Sequence, residues 1–356
     1  MMNASASSDL LQRAARGERL TRDQALDLYT RADLHQLAAA AQAVRRRMHP
    51  QPVVTYVVDR NINYSNICVC GCRFCAFYRA PGQAGGYVLG FAELSAKIRE
   101  AMDLGATQIL LQGSHHPDLG IDFYTQMLTA VKEQFPGLHI HGFSPPEIMH
   151  FASLSGLHPS QVLDRLISAG LNSIPGGGAE ILVDRVRRGI APNKCTAGEW
   201  LHVMGLAHAK GLLTTATMMF GHVETLEDRV DHLLALRDQQ DRTKGFTAFI
   251  PWTFQPDNTA LSARKATSIE YLRLLALSRM VLDNIPNLQV SWVTMGAKIG
   301  QLGLFFGAND FGSTMIEENV VAASGVSFRM SEATMQEVIQ AAGFEPRQRR
   351  MDYALV

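Results

Sequence analysis

Cys68, Cys70, Cys72 and Cys75 crowd four thiols into one short stretch, and only Cys195 stands apart. A disulfide framework would spread its cysteines along the chain. Clustered thiols point instead to metal or redox chemistry in a reducing compartment. Zinc is one reading, but structural zinc takes two ligand pairs from separated segments and ties them together. No second pair follows this loop. An iron–sulfur cluster matches better: gaps of three and two residues let Cys68, Cys72 and Cys75 reach three corners of a cubane from a single loop. One iron then keeps an open position, the mark of a reactive site. Cys70 is left over and reads as a small loop residue with an uncommitted thiol.

The elements around the loop must hold it in place. The first 52 residues carry apolar side chains at three- and four-residue steps and predict a helical segment ending at His49-Pro50-Gln51-Pro52. Short apolar runs then alternate with amphipathic stretches. The runs are 53–58, 107–111, 138–142, 171–174, 212–219, 246–250, 288–293 and 308–311. The amphipathic stretches are 91–104, 123–135, 159–169, 197–210, 226–242, 268–284 and 298–306. Strand–helix alternation implies a parallel sheet. About eight units predict an α/β fold, a (β/α)8 TIM-type barrel, complete or partly open. A doubly wound sheet is second, weakened by the absence of a Gly-x-Gly-x-x-Gly turn after the first strand. The expected division is a helical segment over 1–52, a barrel over 53–312 and a C-terminal extension over 313–356.

The cysteine loop begins just after the first predicted strand, at the face where barrel enzymes build their chemistry. Other unusual residues gather after later strands: Gln112 to Pro117, His141 to Glu147, Pro175 to Glu180, Met219 to His222, Pro251 to Pro256, and Asn309-Asp310-Phe311-Gly312. Each allows two readings. Gly176-Gly177-Gly178 is a tight turn, or a place where backbone approaches a ligand. Glu180 accepts hydrogen bonds from a ligand, or complements a helix dipole. Ser144, before two prolines, is a turn residue or a ligand contact. His115 and His116 point opposite ways in an extended segment, which favours hydrogen bonding over shared metal ligation. Trp252 and Phe254 are core or the wall of a flat ligand site; Met218 and Met219 are core.

Cys68-x3-Cys72-x2-Cys75, with Phe74 before the last cysteine, has the spacing of the radical S-adenosylmethionine superfamily. The runs NICVCGCRFCAFYRAPG, ILLQGSHHPDLGIDFY, HIHGFSPPEI, SIPGGGAEILVDRVRRGIAPNKC, TTATMMFGHVETLEDRV, GFTAFIPWTFQP and FFGANDFGSTMIEENV extend the likeness over residues 50–345. Through them the chain resembles the dehypoxanthine futalosine cyclase family, which serves the futalosine route to menaquinone. It is also similar to aminofutalosine synthases and to the tyrosine-using subunit of deazaflavin synthase. The resemblance implies a [4Fe-4S] cluster on Cys68, Cys72 and Cys75, with S-adenosyl-L-methionine on its open iron. It implies a 5′-deoxyadenosyl radical that takes hydrogen from ribose C4′ of dehypoxanthine futalosine, followed by ring closure onto the benzoate. It implies a reducing electron donor such as flavodoxin or ferredoxin. Joined to the residues, it assigns Phe74 and Tyr78 to the adenine, and Gly113, Ser114, Ser144 and Glu180 to the rest of the cofactor. Asp310, Glu180 and His116 become candidates for the base. Ser114 stands where relatives commonly carry a second glycine, and Cys70 where they often have no cysteine.

Composition excludes some alternatives. Lys plus Arg and Asp plus Glu both number 33, which gives no support to binding nucleic acid or a charged membrane surface. The basic clusters at 45–47 and 347–350 read as solvated helix ends or tails. No apolar run approaches the ~18 residues of a membrane span, and the N-terminus lacks a signal peptide. A cytoplasmic enzyme is expected, with a zinc-clipped binding protein as the non-enzyme alternative.

Overall fold

The computed structural model describes residues 4–356. Ten strands are present: β1 (Val53–Val57), β2 (Asp59–Asn63), β3 (Gln108–Gln112), β4 (His139–Gly142), β5 (Ser173–Ile174), β6 (Leu213–Phe220), β7 (Phe246–Thr253), β8 (Asn287–Leu288), β9 (Asp310–Ser313) and β10 (Glu345–Gln348). β2 to β8 form a curled, wholly parallel sheet in chain order. β8 reaches β9 through a bridge between Gln289 and Asp310. β9 pairs with β1, which runs through Val58 into β2. The expected barrel is present, with a thin seam between β8 and β9.

Helices coat the outside, and their ends are written in the sequence. Thr21, Thr196, Thr225 and Thr267 each open a helix, Arg22–Arg31, Ala197–Ala209, Leu226–Thr243 and Ser268–Val281 respectively, with a capping box. The helices Ala4–Arg16, Arg22–Arg31 and Leu34–Met48 make up the helical start of the chain, and Leu34–Met48 packs on Ser268–Val281. No helix among the described residues is long and apolar enough to cross a membrane.

Four expectations are corrected. The basic cluster at 347–350 is not a solvated tail: β10 pairs in parallel with β1 and closes the lower end of the barrel. Within the basic cluster there, Arg349 is buried and ion-paired with Asp310. Arg45 is likewise buried, because its guanidinium satisfies the carbonyls of Ala308 (3.0 Å) and Val53 (3.0 Å). The run 288–293 is mostly not strand, since Trp292–Met295 is helical. Asn309 and Asp310 lie at the start of β9, not past its end, so they belong to the floor and not the rim. Two helices were also unforeseen, Pro145–Ser155 and Asp184–Ile190. The first has its prolines in the opening turn, where a missing N–H costs nothing.

Half-buried His208 offers a pH test of this packing. Its ring nitrogens bond Thr243 Oγ1 (2.6 Å) and Thr214 Oγ1 (2.8 Å). Gly245 leaves room for it: a Cβ there would sit 2.1 Å from the ring. Burial pushes the His208 pKa down to about 4, so the folded state holds a neutral ring. The unfolded chain protonates it near pH 6.5. Its contribution is therefore complete above pH 6.5 and is lost as pH falls toward 4, up to about 3 kcal/mol. Urea midpoints measured across that window should fall less steeply for His208→Gln than for the parent.

Candidate active site

The cysteine loop leaves β2 at the upper end of the barrel and is tied down on three sides. Cys68 N–H donates to Arg79 O (2.8 Å) and Arg79 N–H to Asn66 O (2.8 Å). The Arg79 side chain turns back on its own loop, donating to the carbonyls of Ala76, Phe77 and Tyr78. Val69 N–H reaches His115 O (3.0 Å), and Arg73 N–H reaches Ile190 O (2.8 Å). These bonds fasten the loop to the segment after β3 and to the helix Asp184–Ile190.

The thiols fit a cluster. Cys72 is buried, and Cys68 and Cys75 are half-buried. Cys68 Sγ accepts N–H bonds from Cys70 and His115, both at 3.4 Å, as a thiolate ligand would. The Cys70 thiol sits against Cys68 and Cys72, and those contacts, with burial, push its own ionisation far up. Among the described residues no trio of Cys, His, Asp or Glu gathers tightly enough for a single metal ion.

Beside the thiols lies Lys194, which sequence reasoning missed. Its ammonium pairs with Glu180 Oε1 (2.7 Å) and sits 5.1 Å from the centre of the Phe74 ring. Burial opposes that charge, but Cys72 and Glu180 outweigh it and hold the group well above its usual range. Glu180 reaches Lys194 from a left-handed backbone, φ 41°, a strained conformation that functional sites tolerate. Lys194 brings together Phe74, Glu180 and the cysteine loop. Tyr78 is half-buried on that loop.

Gly113, Ser114 and Ser144 meet around a second missed residue, Glu147. Its Oε1 accepts from Tyr64 OH (2.7 Å) and Gly113 N–H (3.0 Å). Its Oε2 accepts from Ser144 N–H (2.7 Å) and Ser144 Oγ (2.6 Å). One buried carboxylate thus fixes the ends of β2, β3 and β4. Gly113 has no alternative, since a Cβ would meet the Tyr64 ring at 2.2 Å. Ser114 Oγ is buried without a partner. Glu147→Ala would leave the Tyr64 hydroxyl and two N–H groups unsatisfied. At about 1–3 kcal/mol for each, the expected loss is at least about 3 kcal/mol, read from the urea midpoint.

The remaining candidates disperse. His116 sits at the rim, where its Nδ1 accepts from Asp118 N–H (3.1 Å) and its carbonyl from His150 Nε2 (2.8 Å). His115 stacks on His150, ring centres 4.8 Å apart. His222 is taken up by Glu224 (3.0 Å), itself paired with Arg229. Asp310 is far from the thiols on the floor, and both its oxygens are engaged by Arg349, Thr55 and Gly312. Phe254 is core, whereas Trp252 lines the lumen. That lumen is a cavity of about 270 Å³ bounded by Asp59, Asn61, Gln108, Gly176, Trp252 and Trp292, among others. Gly176 keeps its wall thin: a Cβ would lie 2.8 Å from the Ala216 backbone.

A parallel barrel with a three-thiol loop at its upper rim defines a class, and the chain belongs to it. It is a radical S-adenosylmethionine superfamily enzyme, matching that family's model over residues 62–236 and the CofH/MqnC C-terminal region over residues 243–356. It is 46% identical to the cyclic dehypoxanthine futalosine synthase of Halalkalibacterium halodurans, over 98% of this chain and 94% of that protein. It is 40% identical to 5-amino-6-(D-ribitylamino)uracil–L-tyrosine 4-hydroxyphenyl transferase 1 of Methanosarcina barkeri, over 99% of this chain and 94% of that one. The fold is shared with methylornithine synthase, TM-score 0.74 at 18% identity, over 95% of this chain and 97% of that one. Membership implies a [4Fe-4S] cluster and S-adenosyl-L-methionine.

Proposed function

We propose that this enzyme cyclises dehypoxanthine futalosine, joining ribose C4′ to the benzoate ring in a futalosine route to menaquinone. The observation that carries this reading is the 46% identity, sustained over nearly the whole chain, to a synthase named for that product. When bound, the cluster and S-adenosyl-L-methionine supply a 5′-deoxyadenosyl radical. Cys68, Cys72 and Cys75 hold the cluster, and Cys70 stays a thiol. Lys194 places a positive charge beside the thiolates and fixes the Glu180 carboxylate toward the cofactor. Phe74 and Tyr78 flank the adenine, and Glu147 sets the backbone of Gly113 and Ser144 against the rest of it. The barrel lumen shields the reacting carbon from water and from other C–H bonds. Of the three base candidates, Glu180 and His116 remain at the rim. A carrier such as flavodoxin or ferredoxin, in the cytoplasm, would approach at Val69, which is 43% exposed beside Cys68.

A second reading follows from the 40% relative: transfer of the 4-hydroxyphenyl group of tyrosine to 5-amino-6-(D-ribitylamino)uracil. One experiment separates them. The protein is reconstituted anaerobically with iron and sulfide, given dithionite and S-adenosyl-L-methionine, and offered each substrate set. Mass spectrometry should find 5′-deoxyadenosine and a cyclised product with dehypoxanthine futalosine only. An assembled cluster that yields no 5′-deoxyadenosine with it sinks the cyclase reading. An adduct that retains the adenosyl group would point to aminofutalosine synthase chemistry.

A further inference from the structure

The lumen has two unlike walls. Alternate residues of a strand share one face, and on β2 and β3 the lumen face carries Asp59, Asn61, Gln108, Leu110 and Gln112, with Leu110 the apolar exception. The rest of the lining carries Trp252 and Trp292 with Ile250 and Val290, among hydroxyl and amide side chains such as Thr215, Thr217 and Gln289. The β2–β3 wall is mainly polar, and the aromatic surface lies elsewhere in the lumen. Nothing in the cofactor site uses either wall.

The polar wall is also incomplete. Asp59 accepts from Gln108 Nε2 (2.8 Å) and from Ser313 Oγ. The carbonyl oxygens of Asn61 and Gln108 receive no donor, although these side chains are only 5% and 2% exposed. A buried acceptor without a donor is costly, and two on one wall of a ligand cavity are poorly explained by packing. The terminal amide torsion of Asn61 is soft, so its oxygen can adjust to a ligand. A group rich in hydroxyls would supply the missing donors.

We propose that the Asp59–Asn61–Gln108 wall is the binding site for the sugar hydroxyls of the substrate, with its aromatic ring laid against Trp252 and Trp292. This rests on the cyclase reading for the identity of the ligand, but not for its class. It fixes which way round the substrate lies: hydroxyls toward β2 and β3, ring toward β7. The arrangement selects for molecules that are polyhydroxylated at one end and flat at the other.

The test is calorimetric titration of the cluster-loaded protein, without reductant, so that nothing turns over. Asn61→Leu replaces the orphan amide by an apolar group of similar shape. It should leave the melting temperature unchanged or raised, yet weaken dehypoxanthine futalosine binding roughly tenfold. Asn61→Ser serves the same purpose if the leucine protein does not fold. A 2′,3′-dideoxy analogue should bind the parent protein correspondingly weakly, and lose nothing further on Asn61→Leu. Parent-like affinity in the variant, or a full additional loss with the analogue, overturns the proposal. If the parent ignores dehypoxanthine futalosine but binds 5-amino-6-(D-ribitylamino)uracil in an Asn61-dependent way, the wall stands and the cyclase reading falls. If the parent binds neither, both fall.

Discussion

Cys72→Ala, reconstituted with iron and sulfide, should stay colourless and release no 5′-deoxyadenosine, whereas Cys70→Ala should turn brown and remain active. Four thiols within one loop make this contrast informative. Cys72 sits at the middle of the three-and-two spacing and is buried, so no neighbour can take over its corner without remaking the loop. The Cys70 thiol sits against two of those sulfurs. Its loss leaves three ligands in place. Absorption spectra and iron content measure the outcome. A Cys70→Ala protein that fails to assemble its cluster would reverse the ligand assignment.

The second large effect is expected at the opposite end of the barrel. Arg349→Met should lower stability by about 3–5 kcal/mol, because it leaves a carboxylate buried without its countercharge. Asp310 is wholly buried, and Arg349 Nε and Nη2 meet its two oxygens at 2.5 and 3.1 Å. The Arg349 guanidinium also lies 4.0 Å from the centre of the Tyr353 ring. Urea unfolding of Arg349→Met measures the loss, and Arg349→Met combined with Asp310→Leu should recover part of it. The same pair decides the base question. An Asp310→Asn protein that folds should keep most of its turnover. Loss of turnover in the folded variant, with Arg349→Met active, would restore Asp310 as the base.

How much of this was legible beforehand depended on sequence distance. The cysteine loop is one contiguous motif, so spacing and donor chemistry sufficed to read it. The barrel was legible because each strand and helix carries its own periodicity. Lys194, Glu147 and Tyr64 were not. Lys194 lies well along the chain from the loop it serves, and a lone lysine carries no local signal. Glu147 follows two prolines that read as a turn but open a helix, so its link to Gly113 stayed hidden. Asp310 was misplaced for a related reason. An Asn-Asp-x-Gly stretch looks the same at either end of a strand, and only pairing with Thr55 shows which end it occupies. Arg349 shows the limit of composition: among the three arginines of Arg347-Gln348-Arg349-Arg350, burial singles out one.

The position of β1 between β9 and β10 also shapes how the molecule can come together. Both partners of this strand are made after almost everything else. During synthesis β1 therefore waits with two bare edges, a template for unwanted strand pairing. Pairing across so long a stretch of chain is intrinsically slow, since the entropy of joining the ends must be lost before the contacts form. The barrel must in consequence close last at β1, leaving its lower end open until β9 and β10 have been made.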